Sequence, residues 1–545
     1  MKRTSLAVLM IALALVALAA PMAFAQAPAP KVTINGLIDQ VMSYSKNISN
    51  YNGGLFNHPD SQWYSRTRGR FDFIGEVGKA KGVLGIEIDT VWGQTGSTDT
   101  NQAGTAAGRT GFGTTSSWDL NTDSQAVIEI KWLYTEFPMP LIPVPTTVRL
   151  GAQPFGAAAN YKLTYAAGDF AGVNVVSQVA PNVKLLGTYI QVEEGLVGTD
   201  AANNTTTPGA APTGILSTQD RGDDHAWIFS AEVTPFKGLD LKPMISGFWA
   251  QGTTNGNARS GRGGLSTSTP FSPTGDSHGS LTEQRYTVGL DARFRMGPFS
   301  FDPTVMYQFG HRNAVAPGTF VASGAVPGRI YRADIDAWFI DLRAGFQLGP
   351  LLLQAIGVYS TGNSARNNTL GTVRYFQPLT TDTGYQADWG NQLTGLGIDY
   401  LNAWNEAQGR IAYPGVAIGW DKYGRAQVGA KATYAITPAL NITGGVNAHW
   451  TAEAVDRNGA ATAGAGITPT FTGGPRDTSR YVGTEFFAIL NWTFAPGLTW
   501  SNAAGYMAMG SALDGVTDPT YQRDGYTGRN TNDPFILTSR VRFTF

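Results

Sequence analysis

The sequence contains no cysteine, which excludes disulfides, thiolate metal sites and cysteine nucleophiles. It is also poor in charge, because Asp, Glu, Lys and Arg make up 14% of its residues, whereas about 25% is usual in soluble domains. A formal net charge of −1 argues against a nucleic-acid partner. Beyond the N-terminal segment no apolar run is long enough to predict a membrane-spanning helix. The aromatic residues, 11% of the chain, are instead spread over short runs in which apolar and polar residues alternate. Such alternation predicts β-strands.

The N-terminus has the features of an export signal. A positively charged start precedes an apolar core at 6–20, and residues 23–25 (Ala-Phe-Ala) match the small-x-small cleavage pattern. We therefore predict a signal peptide at 1–25, followed by a single domain at 26–545.

The alternating runs are separated in turn by short turns containing Gly or Pro and by long segments rich in small polar residues. This asymmetry predicts an all-β fold, a transmembrane antiparallel β-barrel with short periplasmic turns and long extracellular loops. We count eighteen strands; sixteen or twenty also fit, because the runs at 183–193 and 351–360 alternate less regularly. The predicted strands span 31–44, 63–77, 83–92, 126–136, 147–153, 170–178, 183–193, 227–234, 239–250, 282–295, 300–309, 332–347, 351–360, 427–436, 440–450, 482–494, 498–508 and 534–545.

Within each strand we expect apolar residues to face lipid and charged residues to face the barrel interior. A lysine or arginine facing lipid at mid-bilayer would cost about 2–4 kcal/mol, and a dozen of them would exceed a folding stability of roughly 5–15 kcal/mol. Phe487 and Ile489 interrupt this pattern, because they fall on the expected inner face of the run 482–494. The run 126–136 illustrates the expectation: Ile128, Ile130, Trp132 and Tyr134 are predicted outside, and Glu129 and Lys131 inside.

The last stretch of the chain, 534–545, alternates apolar and polar residues and ends in an aromatic residue. One face carries Phe535, Leu537, Val541, Phe543 and Phe545, and the other carries Thr538, Arg540, Arg542 and Thr544. In this terminal strand the chain resembles the porins of the Gram-negative outer-membrane β-barrel family. The resemblance implies that the barrel assembly machinery of the outer membrane reads this strand and that it closes the barrel against the first strand. It also implies contact with outer-membrane lipids. Porins commonly form homotrimers, and the sequence leaves the oligomeric state open.

Charged residues predicted to face inward are close to balance, with twelve basic and twelve acidic side chains. This balance predicts weak overall ion selectivity and argues against a phosphate-selective pore, which would need a dominant basic ladder. The residues predicted to line the pore are Arg66, Arg68, Arg70, Asp72, Glu87, Asp89, Glu129, Lys131, Arg149, Arg285, Asp291, Arg293, Arg540 and Arg542.

Three arginines at alternate positions, Arg66, Arg68 and Arg70, are the sharpest feature among these residues. The neighbouring strand offers Glu87 and Asp89 on the corresponding face, and barrel closure places the last strand two strands away on the other side. One hypothesis is a basic wall across which the polar groups of a solute are drawn, since opposed charged rows create a transverse field. The alternative is a set of solvated lumen charges that pair with one another and keep the wall rigid.

Two segments are candidates for a constriction of the pore. Porins usually constrict with the third external loop, here the short segment 154–169. The longest segment, 363–425, contains Leu393, Leu396, Tyr400, Leu401 and Trp404 at helical spacing, which predicts a short helix folded into the pore mouth. An external cap or a contact between subunits would explain the same pattern.

Signals for an enzyme are weak, since none of the five histidines has metal-ligand spacing. We predict no cofactor and no metal. The function predicted from the sequence is that of an outer-membrane porin, a water-filled channel for passive diffusion of small hydrophilic solutes and ions. The alternatives are a substrate-specific outer-membrane channel and a non-conducting adhesin or structural barrel.

Overall fold

The structure of the chain is a computed structural model. It describes residues 28–47, 61–92, 117–118, 127–193, 223–251, 282–315, 330–363, 371–381, 389–395, 397–398, 423–456, 477–511 and 533–545. The predicted signal peptide at 1–25 lies outside these residues. Within them, no helix is long and apolar enough to cross a membrane.

Eighteen strands of 9 to 19 residues form the architecture in the described part of the chain. In chain order they are β1 Lys31–Lys46, β2 Ser61–Val77, β3 Ala80–Trp92, β4 Val127–Pro138, β5 Thr146–Pro154, β6 Asp169–Ala180, β7 Val183–Glu193, β8 Asp224–Phe236, β9 Leu239–Gln251, β10 Thr282–Met296, β11 Phe299–Val315, β12 Ile330–Leu348, β13 Leu351–Ser360, β14 Arg425–Thr437, β15 Leu440–Asp456, β16 Asp477–Ala495, β17 Leu498–Met509 and β18 Phe535–Thr544. The described residues also include four two-residue strands: Ser117–Trp118, Ala166–Ala167, Thr372–Val373 and Thr380–Thr381.

Each long strand pairs antiparallel with the long strands before and after it, and β1 pairs with both β2 and β18. The sheet is therefore a closed eighteen-stranded barrel. This confirms the predicted fold class and the predicted strand number. Closure leaves no long strand with an unpaired edge, which is what a sheet requires in a medium that cannot hydrogen-bond to its backbone.

The C-terminal residue takes part in the closure. Its backbone exchanges two hydrogen bonds with Gly36 of β1, with Gly36 N to Phe545 O at 2.9 Å and Phe545 N to Gly36 O at 3.0 Å. The Phe545 ring lies over Gly36 so closely that a Cβ there would be 2.7 Å from it. A glycine at this position therefore makes room for the terminal aromatic ring. The predicted closure of the last strand against the first is confirmed.

The two faces of the barrel differ as the alternation requires. On β1, Ile34, Ile38 and Met42 are exposed on the outer face, whereas Asp39 and Ser43 are buried on the inner face. Exposed aromatic residues of the outer face lie near both ends of the strands. Near the short turns they are Phe236, Phe299, Trp492, Phe494, Trp500, Phe543 and Phe545, and near the opposite ends they are Trp63, Trp92, Tyr189, Trp249, Trp338, Tyr359 and Tyr506. Such bands mark the two interfaces of a bilayer.

A β-bulge in β4 corrects one prediction. Gly85 of β3 pairs with Trp132, but the next residue, Ile86, pairs with Ile130, so Lys131 is an extra residue in β4. The bulge exchanges the two faces, because alternation restarts one residue out of phase. Ile128 and Ile130 face outward as predicted. Trp132 and Tyr134 do not: both lie on the inner face, and the prediction that they face lipid is wrong.

Segments that connect strands fill part of the barrel interior. The segment 155–168 and the segment 371–381 pack together, and Ala166–Ala167 pairs in parallel with Thr380–Thr381. One more inserted segment, 389–395, lies against the inner face of β14–β16. The buried apolar cluster between these segments and the wall includes Phe155, Tyr165, Phe248, Phe339, Phe376, Trp389 and Phe487.

The helix predicted over 393–404 is not formed in the part that the structure describes, where 389–395 and 397–398 contain turns and bends. The positions Tyr400, Leu401 and Trp404 lie outside the described residues. The apolar residues that interrupted the inner face of β16 have an explanation, because Phe487 and Ile489 pack against Gly390 of the inserted segment.

Candidate functional site

A charged wall lies on the inner face where the barrel closes, across β18, β1, β2 and β3. Its centre is Asp39 of β1, which is fully buried. The Asp39 carboxylate accepts a hydrogen bond from Arg542 Nη2 at 2.9 Å and lies 3.7 Å from Arg540 Nε and 3.7 Å from Arg66 Nη2. One carboxylate therefore links arginines from the two strands that flank it.

The rest of the wall consists of cross-strand pairs between β2 and β3. Arg68 donates two hydrogen bonds to Asp89, at 2.7 and 2.6 Å. Arg70 Nε donates to Glu87 at 2.7 Å. Arg66 Nη1 lies 3.8 Å from Asp89 and Arg68 Nη2 lies 3.4 Å from Glu87. Bidentate arginine–carboxylate pairs of this kind hold side chains in fixed positions.

The sequence predicted the arginine row and its partners on β3, and the structure brings them together. It did not single out Asp39. Asp39 stands opposite Arg68 on β2 and opposite Arg542 on β18. Only the register at closure shows this, because 503 residues separate Asp39 from Arg542 along the chain.

All fourteen residues predicted to line the pore lie on the inner face, but they differ in accessibility. The side chains of Arg70 and Arg149 are 24% and 26% exposed. Arg285 and Asp291, by contrast, are each 1% exposed, because the inserted segments cover that part of the wall. Accessible charges lie along β18 and β1–β6, with Arg542 at 34%, but Asp39 and Arg66 of the same wall are fully buried. On β10, Arg293 stays exposed beside the covered Asp291. Whether the accessible residues meet a permeating solute stays a prediction.

The segment 155–168 is held by buried groups of β8–β12. Lys162 Nζ donates to the carbonyl oxygens of Asp302 at 2.6 Å and Asp341 at 3.0 Å. The backbone N of Tyr161 donates to Asp291 Oδ2 at 2.6 Å, and Lys242 Nζ donates to the carbonyl oxygen of Ala157.

Burial changes the titration of two side chains of this segment. Desolvation lowers the pKa of Lys162, and the carboxylate of Asp341 opposes that shift. Desolvation, followed by the charge of Glu232, raises the pKa of Tyr161 to about 12. The Tyr161 phenol is therefore neutral at physiological pH.

The segment 371–381 is attached to β11 and β12. Gln308 Nε2 donates to the carbonyl oxygen of Gln377 at 2.7 Å, and Gln377 N donates to Gln308 Oε1 at 2.9 Å. The Phe376 ring packs on Phe339, with centroids 5.2 Å apart. Thr372–Val373 pairs in parallel with β12.

The segment 389–395 is held at Trp389 by Asn447 and Lys431 and, further along, by the carboxylate of Glu485 on β16. The backbone N–H groups of Gln392, Leu393 and Thr394 donate to it at 2.6, 2.9 and 3.0 Å. The Thr394 hydroxyl also donates to it, and His449 Nε2 lies 3.0 Å from that hydroxyl. Successive backbone N–H groups that converge in this way form a nest for an anion, and here the anion belongs to the barrel wall.

Both segments named as candidate constrictions therefore contribute residues inside the barrel. Of the segment 154–169, residues 155–168 lie inside the barrel. Of the segment 363–425, the described residues 371–381 and 389–395 lie inside it. The sequence signal for these inserted segments is a set of apolar residues on the inner face of some strands. On β7 and β13, the two strands with irregular alternation, Ile190, Ile356 and Val358 face inward and are buried by the inserted segments. Among the described residues, no group of three or more His, Asp or Glu side chains could hold a metal ion.

No family model matches the chain, and no curated protein matches it. Several solved structures are similar to the chain over most of its length at low sequence identity. Pseudomonas aeruginosa OccK8 (OprE) is 10% identical, with a TM-score of 0.47 over 94% of this chain and 98% of that one. Acinetobacter baumannii OccAB1 is 12% identical, with a TM-score of 0.44 over 94% and 97%. The outer membrane protein opdK from Pseudomonas aeruginosa is 8% identical, with a TM-score of 0.44 over 94% and 99%.

The class of the protein follows from the barrel itself. The described strands form a closed antiparallel barrel of even strand number, with an apolar outer face, two aromatic bands and a charged inner face. An outer face of this kind is stable in lipid and costly in water. The chain has the architecture of an outer-membrane β-barrel.

Proposed function

We propose that the protein is an outer-membrane channel through which small hydrophilic solutes and ions diffuse passively. The observation that carries this proposal is the uneven filling of the barrel. The inserted segments pack mainly on β8–β12 and β14–β16, while β18 and β1–β6 keep several partly accessible charged side chains, those of Arg70, Lys131, Arg149 and Arg542. A structural barrel has no need of accessible charges on its inner face, whereas an aqueous passage does.

The accessible charges of this passage are of both signs and mostly paired. Lys131 Nζ lies 2.9 Å from Asp169, and Arg149 Nη2 lies 2.6 Å from Glu136. Pairs of this kind cancel at a distance, so the proposed channel has little preference between cations and anions. In this proposal the accessible end of the arginine row, at Arg70, draws polar groups across the lumen through local fields and not through a net charge, and the buried Arg66 and Arg68 support it.

Single-channel conductance of the refolded protein in a planar bilayer tests the proposal. A steady conductance with a reversal potential near zero in a KCl gradient is expected. In a variant with Arg66, Arg68 and Arg70 all replaced by alanine, the reversal potential should move toward cation preference. Folded barrels that never conduct would contradict the proposal and favour the non-conducting adhesin or structural barrel.

A substrate-specific channel is the second candidate. The inserted segments support it, because they narrow the passage and are fixed by specific hydrogen bonds rather than left as open loops. Titration of small solutes against the ion current separates the two candidates. A specific channel is blocked by one chemical class at low concentration, whereas a general channel is not.

The remaining proposals concern maturation and assembly. A signal peptide at 1–25 would be cleaved before a single domain at 26–545 assembles, and N-terminal sequencing of the membrane-bound protein tests the cleavage site.

Recognition of β18 by the barrel assembly machinery predicts that deletion of Phe545 lowers the yield of folded barrel. The mass of the protein–detergent complex distinguishes a homotrimer from a monomer.

A further inference from the structure

The bulge in β4 places two aromatic side chains on the charged inner face. Trp132 and Tyr134 are both half-buried, whereas Leu133 between them is exposed on the outer face. Inner-face residues of a water-filled barrel are usually polar. Two aromatic rings among charged groups on this face therefore need an explanation.

The position of each ring is fixed by neighbouring groups. The Trp132 ring occupies space that a side chain on β3 would need, because a Cβ at Gly85 would be 2.8 Å from Trp132 Cε3. Its indole Nε1 donates to Asp169 Oδ1 at 2.6 Å. The Arg149 guanidinium lies 4.6 Å from the centre of the Tyr134 ring. The Arg70 guanidinium lies over the Trp132 ring, 5.8 Å from its centre. Both rings are thus held in position before a solute arrives.

The charges around the two rings are neutralised within the site. Glu136 accepts from Arg149 at 2.6 Å and also lies 2.8 Å from Lys81 Nζ. Lys131 Nζ lies 2.9 Å from Asp169. A solute carboxylate would have to displace one of these partners, so the site offers an anion little net attraction. A neutral solute with hydroxyl groups can instead donate to the carboxylates and accept from the cations without breaking the pairs.

We propose that Trp132 and Tyr134 form a subsite in the lumen for the ring of a neutral sugar. The proposal rests on the proposed channel function and names a solute class for it. A pyranose ring has an apolar C–H face that covers an aromatic ring and a rim of hydroxyls that reaches the surrounding charges. Apolar contact with precisely placed polar groups at its edge is the usual composition of a small-molecule site.

The test is a titration of ion current with three probes of similar size. Methyl β-D-glucopyranoside has the ring, sorbitol has hydroxyls but no ring, and benzoate has a planar ring and a charge. The glucoside should block the current, and sorbitol and benzoate should not at the same concentration. Trp132→Ala should raise the concentration of glucoside for half-block about tenfold, because apolar contact area is lost. Trp132→Phe should restore most of the block. Ile130→Ala, on the outer face of the same strand, is the matched control and should behave as wild type.

Several results would overturn the proposal. One is equal block by sorbitol, and another is block by benzoate in preference to the glucoside, which would make the site an anion subsite. A third is an unchanged half-block concentration in Trp132→Ala. If Trp132→Ala fails to fold, Tyr134→Ala provides the same test. A channel that conducts ions but is never blocked by the glucoside refutes the subsite and leaves the channel function standing. Folded barrels without conductance refute both.

Discussion

The carboxylate of Glu485 provides the sharpest test of how the barrel interior is organised. It is fully buried and receives three backbone N–H groups and one hydroxyl from the segment 389–395. The variant Glu485→Gln keeps the size of the side chain but removes its charge. It also turns one acceptor atom into a donor that must face N–H donors of the segment.

The magnitude follows from the number and type of these hydrogen bonds. Each hydrogen bond to a charged group contributes about 1.5–3 kcal/mol net, and a buried donor left without a partner costs about 1–3 kcal/mol. With one acceptor oxygen of Glu485 retained, we expect the docked state of 389–395 to lose about 3 kcal/mol, which corresponds to more than a hundredfold change in its equilibrium with an undocked state.

Two measurements follow from this change. Single-channel recordings of Glu485→Gln should show transitions to a second, higher conductance level as the segment leaves the wall. Because the chain has no cysteine, Leu393→Cys introduces one reporter thiol at a position that is 1% exposed. A membrane-impermeant maleimide should label this thiol slowly, and at least tenfold faster when Glu485→Gln is added.

The matched control is Asp334→Asn, which removes a carboxylate charge from the outer face of β12, where the side chain is 74% exposed. It should change neither the conductance levels nor the labelling rate. If Glu485→Gln barrels fold and yet show wild-type conductance and wild-type labelling of Leu393→Cys, the carboxylate does not hold the segment and the reasoning is refuted.

Three further substitutions test the segment anchors, the closure and the charged wall. Lys162→Met removes the ammonium that donates to two carbonyl oxygens, so the segment 155–168 should loosen and the mean conductance should rise, whereas Lys237→Met in an exposed turn should change nothing. Gly36→Val places a Cβ 2.7 Å from the Phe545 ring, so the fraction of protein that migrates as folded barrel in a gel-shift assay should fall, whereas Gly75→Val has open space and should fold normally. Asp39→Asn removes the carboxylate shared by three arginines, so the reversal potential in a KCl gradient should move toward anion preference.

Each of these predictions has a clear contrary outcome. Equal conductance in Lys162→Met and wild type would show that the other anchors suffice to hold the segment. A normal folded fraction for Gly36→Val would mean that the terminal ring can move without loss of closure. An unchanged reversal potential in Asp39→Asn would show that the wall does not influence permeating ions.

The barrel could be predicted from the sequence because its main determinant is local. In a strand of a membrane barrel, successive residues face lipid and the interior in turn. The alternation in 534–545 therefore predicts both that the segment is a strand and which of its residues face lipid. The placement of charges follows from the free-energy cost of exposing a charge to lipid, since a guanidinium such as that of Arg68 is far more stable inside the barrel. The strand count was predictable to within two on this basis, whereas the closure of β18 on β1 was implied by the resemblance of 534–545 to the terminal strand of porins.

The alternation predicted the wrong facing in the second half of β4, where one extra residue shifts the alternation. The extra residue at Lys131 turned Trp132 and Tyr134 inward, and nothing in the run 126–136 marks it, because both residues continue the phase of Ile128 and Ile130. A bulge is set by the register of β4 against β3, and register is a property of two strands. The helix predicted over 393–404 is not formed at the described residues 393–395 and 397–398, where Leu393 is buried and its backbone N–H donates to Glu485.

The sequence by itself determined a membrane barrel of sixteen to twenty strands with charges inside, because the energetic difference between lipid and water acts on every residue separately. Only the tertiary structure decided which of those charges a solute could reach. Burial of Arg285 and Asp291 depends on where the segments 155–168 and 371–381 come to rest, and the position of Asp39 among arginines depends on which register closes the barrel. These are contacts between residues far apart in the chain, and no local pattern encodes them.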